Sequence, residues 1–312
     1  MNITEYRQTQ SRIILSSTGH APHHALSLDV SEQEALFDRL SSVWSLIDIC
    51  ASTGNRLADR DTPTNTEKWI GLKRWFLSHH MFITQLALNA FCLKEATRAA
   101  DINAAARWTD LASRLRRGCG ALFLYGIDFQ PCPTLYDNAI RNDMPTAFSG
   151  FWIRERQDVF RTALEDFLLV FKTVTDDKFK KTPRNIWAAA DARYHELHKQ
   201  SMYEAVPDGK SLFAQYIQEH GKRHIISEQE FQQYDSWFCI DRKSDINRLD
   251  FMFQSCDLIE RVVADLMSGH RLERPVLKEL LDGLRATIVV CGDWAGPVPL
   301  GSRFYPKNLR GE

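Results

Sequence analysis

Two pairs of histidines and one pair of arginines are the residues of this chain whose type and spacing could do chemistry. His79 and His80 are consecutive in an aromatic-rich run, and His195 and His198 stand three apart in a later one. An imidazole titrating near neutrality can act as acid, base or metal ligand, depending on what surrounds it. His79 continues an apolar helical stripe, between Phe76 and Ile83, while His80 is turned about 100° off that stripe. His198 shares one helical face with Trp187, Asp191, Tyr194 and Met202. A neutral imidazole on an apolar face is what haem iron requires of an axial ligand. A hydrogen-bonded core histidine fits the same pattern. His195 and His198 could instead hold a transition metal, although no third ligand is obviously placed beside them. Arg154 and Arg156 each offer a bidentate fork to a carboxylate. With Glu155 and Asp158 adjacent, a surface ion-pair ladder fits either arginine equally well.

The elements that must position these groups read as helices nearly throughout. Apolar spacing predicts helices over 31 to about 52, 66 to 100, 103 to 123, 151 to 174, 183 to 204, 244 to 267 and 274 to 290. Pro183 is expected near the first turn of its helix, and Pro275 near the first turn of the last. Residues 124–150 break the pattern as a long irregular connection, of the kind that often carries function. No alternating strand pattern of useful length, repeat or low-complexity linker is present. The expected fold is all-α, with an N-terminal arm over 1–30 and a single helical domain over 31–312.

Composition narrows the function. Lys+Arg number 39 and Asp+Glu 40, so the formal charge is 39 − 40 = −1. That balance argues against a dedicated nucleic-acid binder. No apolar run is long enough for a membrane span. Seven scattered cysteines without a CxxC suit reduced thiols in the cytoplasm. The Gly-rich nucleotide loops, HExxH, Glu-x-x-His and GxSxG are all absent.

One block is familiar as a unit. Arg74-Trp-Phe-Leu-Ser-His-His-Met-Phe lies on a predicted helix, the irregular connection follows, and Phe148-Ser-Gly-Phe-Trp-Ile-Arg-Glu-Arg comes after it. With His195 and His198 further on, this order resembles the tryptophan 2,3-dioxygenase superfamily of haem-dependent aromatic oxygenases. Within it, the chain looks closest to the bacterial haem-dependent L-tyrosine hydroxylases. The resemblance covers roughly residues 66–205. The dioxygenases' Gly-Thr-Gly-Gly loop is missing. A related 3-methyltyrosine enzyme attaches haem through a His-x-x-x-Cys element. The matching spacing here is His198-Lys-Gln-Ser-Met202, so no thioether link is expected.

The resemblance implies haem b on an axial histidine, His198 or His195, whose second ring nitrogen would donate to Asp191 or Glu196. It implies His79 or His80 as the catalytic histidine on the substrate side. Phe76, Ser149, Phe151, Trp152, Arg154 and Arg156 would bind an aromatic amino acid, with one arginine on its carboxylate. The oxidant would be dioxygen or hydrogen peroxide, and a homo-oligomer is expected. The simplest reaction is hydroxylation of L-tyrosine to 3,4-dihydroxyphenylalanine. The alternatives are oxygenation of tryptophan or of a methylated indole or tyrosine, and a non-enzymatic helical interaction protein.

Overall fold

The longest helical stretch carries no charged side chain between His80 and Lys94, so none of its faces suits water. The computed structural model describes residues 12–19, 29–53, 65–129, 153–173, 177–206, 218, 221, 226–244 and 246–294. In chain order the elements are β1 (Ile13–Ser16), α1 (Val30–Thr53), α2 (Asn65–Arg98) and α3 (Ile102–Gly126). A wide π-helical stretch, Glu155–Phe160, then runs directly into α4 (Arg161–Thr173). They are followed by α5 (Asp177–Ala205), α6 (Glu228–Trp237), β2 (Ile240–Lys243), α7 (Arg248–Ser268) and α8 (Arg274–Trp294). The fold is all-α apart from the two short strands.

The charge-free helix α2 is central. Every residue from 81 to 90 is buried, and its polar members find partners. Thr84 Oγ1 donates to the His80 carbonyl at 2.9 Å, and Asn89 Nδ2 to the Ala112 carbonyl at 2.9 Å. Helix α3 lies along α2, α5 lies along α3, and α4 packs against α2. Asp101 caps α3 by accepting from the Asn103 and Ala104 amides at 2.8 and 2.9 Å. Two glycines let α3 approach its neighbours. A Cβ at Gly126 would meet Ser78 Oγ at 2.5 Å, and one at Gly120 would meet Tyr194 Cα at 3.1 Å.

Buried charge pins the start of α2. Arg74 is 3% exposed. Its Nε donates to Asp265 at 2.7 Å, and one Nη to Asp128 at 3.1 Å. Further donations go to the Asp128 and Gly269 carbonyls. Tyr125 also donates to Asp265, at 3.2 Å. One guanidinium thereby ties α2 to the end of α3 and to the α7–α8 corner.

Three sequence expectations change. The strands were not foreseen, because four residues are too few to show alternation. They pair in parallel, Ile13 opposite Ile240 through Ser16 opposite Lys243. Gln254 of α7 covers the other edge of β1, accepting from the Ile14 amide at 2.7 Å and donating to its carbonyl at 3.2 Å. Within the segment read as an arm, Ile13 and Leu15 are therefore core residues. Pro183 lies inside α5, which begins six residues earlier than expected. Proline forfeits one backbone bond there, and the helix continues on its packed face.

Candidate active site

Four elements bring the chemically capable groups together: α2, α3, the π-helical stretch and α5. Gly120 lets α5 close on α3, and Phe123 of α3 then touches both flanking helices. Its ring lies 5.1 Å from Phe82 of α2 and 4.6 Å from His198 of α5. Tyr194, one turn before His198, stacks near it with centroids 6.0 Å apart. Arg116 of α3 lies over the Tyr194 ring at 3.4 Å and pairs with Asp191 at 2.7 Å. His198 thus sits among aromatic rings and near the Arg156 and Arg116 cations. Burial first, then the charges of Arg156, His195 and Arg116, hold its pKa down to about 4. It is neutral at neutral pH, with a lone pair to offer. Neither ring nitrogen has a hydrogen-bond partner among the described residues.

That corrects one expectation. Neither Asp191 nor Glu196 receives a hydrogen bond from His198, because Asp191 faces Arg116 and His195 while Glu196 pairs with Arg193 at 2.8 Å. His195 is 61% exposed at its side chain and reaches Asp191 at 3.5 Å. Among the described residues, no three His, Cys, Asp or Glu side chains are grouped to share a metal ion.

On α2, His79 and His80 point in different directions, as consecutive helical residues must. His79 Nδ1 lies 2.7 Å from the Trp75 carbonyl, which sets it as the N–H and leaves the Nε2 lone pair without a partner among the described residues. Its ring stacks on Phe238 at 4.2 Å and 15°. Burial, opposed by that hydrogen bond, holds its pKa down to about 4. His80 is fully buried, and its Nε2 lies 2.5 Å from the Phe238 carbonyl. Its pKa is also held down to about 4 by burial. Phe76 is buried against His80 and Phe238, with centroids 6.4 and 5.7 Å away. His80 and Phe76 therefore stand behind His79.

The two arginines, two residues apart, face opposite ways. Arg154 pairs with Glu228 of α6 and lies over the Phe231 ring at 4.6 Å. Arg156 is close enough to His198, Tyr194 and Arg116 for charge coupling with each, and burial pulls its pKa down. Between them, Glu155 is buried and accepts from Arg242 at 2.5 Å. Arg242 also donates to Asp235 at 2.8 and 2.9 Å. This knot ties the π-helical stretch to α6 and β2. Wide turns of this kind recur at functional sites.

Of the sequence-predicted site residues, Arg156 and His198 lie together beside Arg116 and Tyr194, while His79 lies on α2 against Trp75 and Phe238. His80, Phe76 and Arg154 are engaged elsewhere, and His195 faces outward. Ser149, Phe151 and Trp152 lie outside the described residues. Sequence reasoning missed Arg116, Phe123 and Phe238 as site residues. Arg116 carried little signal, standing beside Arg114 and Arg117, and only its burial sets it apart. Phe238 carried none, since its position follows from tertiary packing.

A family model described as SfmD 3-methyl-L-tyrosine peroxygenase matches residues 6–181. No curated protein matches the chain. The matched span carries His79, His80, Arg154 and Arg156, and ends before His195 and His198. At the coarse level it agrees with the haem-dependent aromatic oxygenase resemblance, and it sets aside the non-enzymatic reading.

Proposed function

The chain belongs to the SfmD 3-methyl-L-tyrosine peroxygenase family, and from that premise we propose that it is a haem-dependent peroxygenase hydroxylating the ring of a tyrosine derivative. The balanced reaction inserts one peroxide oxygen into a ring C–H bond, giving a phenol, and releases the other as water. The family description favours 3-methyl-L-tyrosine as substrate over the L-tyrosine expected from the sequence.

The observation that carries the assignment is His198. It is neutral, it lies among Phe123 and Tyr194, and it has two cations nearby. A flat apolar macrocycle with carboxylate arms, whose iron takes a neutral imidazole, would fit that donor set. His198 would hold the iron, with Arg116 and Arg156 placed for carboxylates of the macrocycle or the substrate. When bound, haem supplies the activation of peroxide.

The remaining roles fall to side chains. Arg156 binds a carboxylate through a charge-assisted fork, strengthened by burial. Arg116, pinned by Asp191 and stacked on Tyr194, keeps the local potential positive. His79 accepts a proton at Nε2, from the phenol or from peroxide, because its Nδ1 is already spent on the Trp75 carbonyl. Phe82 and Phe123 give the substrate ring an apolar wall and exclude water.

A panel of 3-methyl-L-tyrosine, L-tyrosine and L-tryptophan, each with haem-reconstituted protein and hydrogen peroxide, tests this reading. Hydroxylated tyrosine products, fastest from the methylated substrate, are expected. Oxygenated tryptophan alone would move the protein to the indole reading. Absence of any peroxide-dependent product would end the proposal.

A further inference from the structure

Two consecutive histidines hold opposite tautomers, each set by a backbone carbonyl. His79 spends Nδ1–H on Trp75, and His80 spends Nε2–H on Phe238. Phe238 meets both: its ring stacks on His79 while its carbonyl accepts from His80. We propose that His80 is a positioning residue that acts on His79 through Phe238. The role deepens the reading of His79 as the proton acceptor.

The turn that carries Phe238 needs an external hold. Phe238 ends α6, its amide donating to the Tyr234 carbonyl at 3.0 Å. The next residue, Cys239, has φ 55°, the left-handed region that side chains disfavour. The chain then enters β2, and Ile13 of β1 grips the Cys239 carbonyl at 3.2 Å. His80 of α2 holds the preceding carbonyl, that of Phe238, at 2.5 Å. Without that donor the Phe238 carbonyl loses its hydrogen bond from α2, and the turn can relax from its left-handed geometry. Relaxation rotates the Phe238 ring, which lies between Phe76, Tyr234 and His79 with centroid distances of 5.7, 4.6 and 4.2 Å. The His79 ring then loses the parallel face that fixes its tilt, so Nε2 is no longer aimed. His80 Nδ1 is buried without a hydrogen bond, so its hold on the neighbouring element is the Phe238 bond.

The test uses the full-length chain with isotope-labelled histidine. Aromatic stacking on Phe238 moves the His79 ring-proton resonances upfield. His80→Leu, which lacks the donor, is expected to return them toward ordinary positions. His80→Gln places an amide N–H at a similar reach and is expected to keep them upfield. His80→Phe, a flat ring without the donor, serves if the Leu variant does not fold. In turnover the donor-less variants should lose about tenfold in kcat, with KM within about twofold, as expected for a misplaced catalytic group. Unmoved His79 resonances in a folded donor-less variant overturn the proposal, as does a Gln variant that behaves like Leu. Moved resonances with unchanged kcat uphold the positioning geometry and contradict the proton-acceptor role of His79, so the two readings fail separately.

Discussion

The two histidine pairs solve different problems. On α2, His80 is fully buried and His79 partly so, with one N–H each bound to a backbone carbonyl, so tautomer and tilt are fixed before any ligand arrives. On α5, His195 faces outward beside Asp191, and His198 faces inward with neither ring nitrogen bound to a described residue. The cause is position in the fold. Helix α2 is packed on most of its length, so its polar side chains turn to the protein, as His79 and His80 do to the Trp75 and Phe238 carbonyls. Helix α5 packs along α3, and the His198 ring lies between Phe123 and Tyr194.

Breaking the anchor of the α2 side should have the largest effect. Arg74→Ala takes the paired guanidinium from buried Asp128 and leaves buried Asp265 only the half-exposed Lys73, 3.1 Å away, and is expected to cost about 3–5 kcal/mol of stability in urea unfolding. The matching change by the α5 side, Arg116→Ala, removes a pair whose Asp191 is 30% exposed at its side chain. It should cost roughly 1–2 kcal/mol, including the lost stacking on Tyr194. Equal losses would erase the distinction between the two sides.

His198→Ala should next abolish the Soret band of the haem-reconstituted protein, while His195→Ala retains it. The reverse result would exchange their roles. Arg156→Ala should raise KM for the amino acid about tenfold or more, since a charge-assisted hydrogen bond contributes about 1.5–3 kcal/mol. Arg154→Ala, which disrupts an ion pair with an exposed glutamate on another face, should change KM less than about threefold. Steady-state kinetics on the two variants separates them.

A further comparison concerns pH. His79, His80 and His198 titrate near 4 in the folded chain, against an ordinary 6.5, because burial disfavours the imidazolium. Between those values the unfolded chain binds more protons than the folded one. Stability is therefore fully present above about pH 6.5 and is lost as pH falls toward 4. Urea midpoints should drop across that window with a slope approaching three protons, reduced by one in His80→Gln. A flat profile would contradict the burial of these rings as neutral species.

Much of the frame was legible from the chain. Leu72, Phe76, Ile83, Leu86, Ala90 and Leu93 form the expected stripe of α2 and are all buried. The stripe misled at His80, which lies off it and is buried, and at His79, which lies on it and is only partly buried, because neighbouring elements rather than the stripe alone decide which side of α2 is covered. On α5 the predicted face holds for Trp187 and Tyr194 and fails at Met202, which is 37% exposed near the helix end. The choice between Arg154 and Arg156 was not legible, since it depends on Glu228 and Phe231, more than seventy residues away. Helical geometry alone did imply that the two could not share a target, as residues two apart face opposite sides. Phe238 and the strands were hidden for a related reason: both exist only through long-range pairing.

The most direct test follows the oxygen. Haem-reconstituted protein should be given 3-methyl-L-tyrosine and hydrogen peroxide labelled with oxygen-18, in ordinary water, and the product mass read. One labelled oxygen on the ring, absent when peroxide is withheld, is the predicted result. Product carrying unlabelled oxygen, or formed equally without peroxide, would contradict the peroxygenase account.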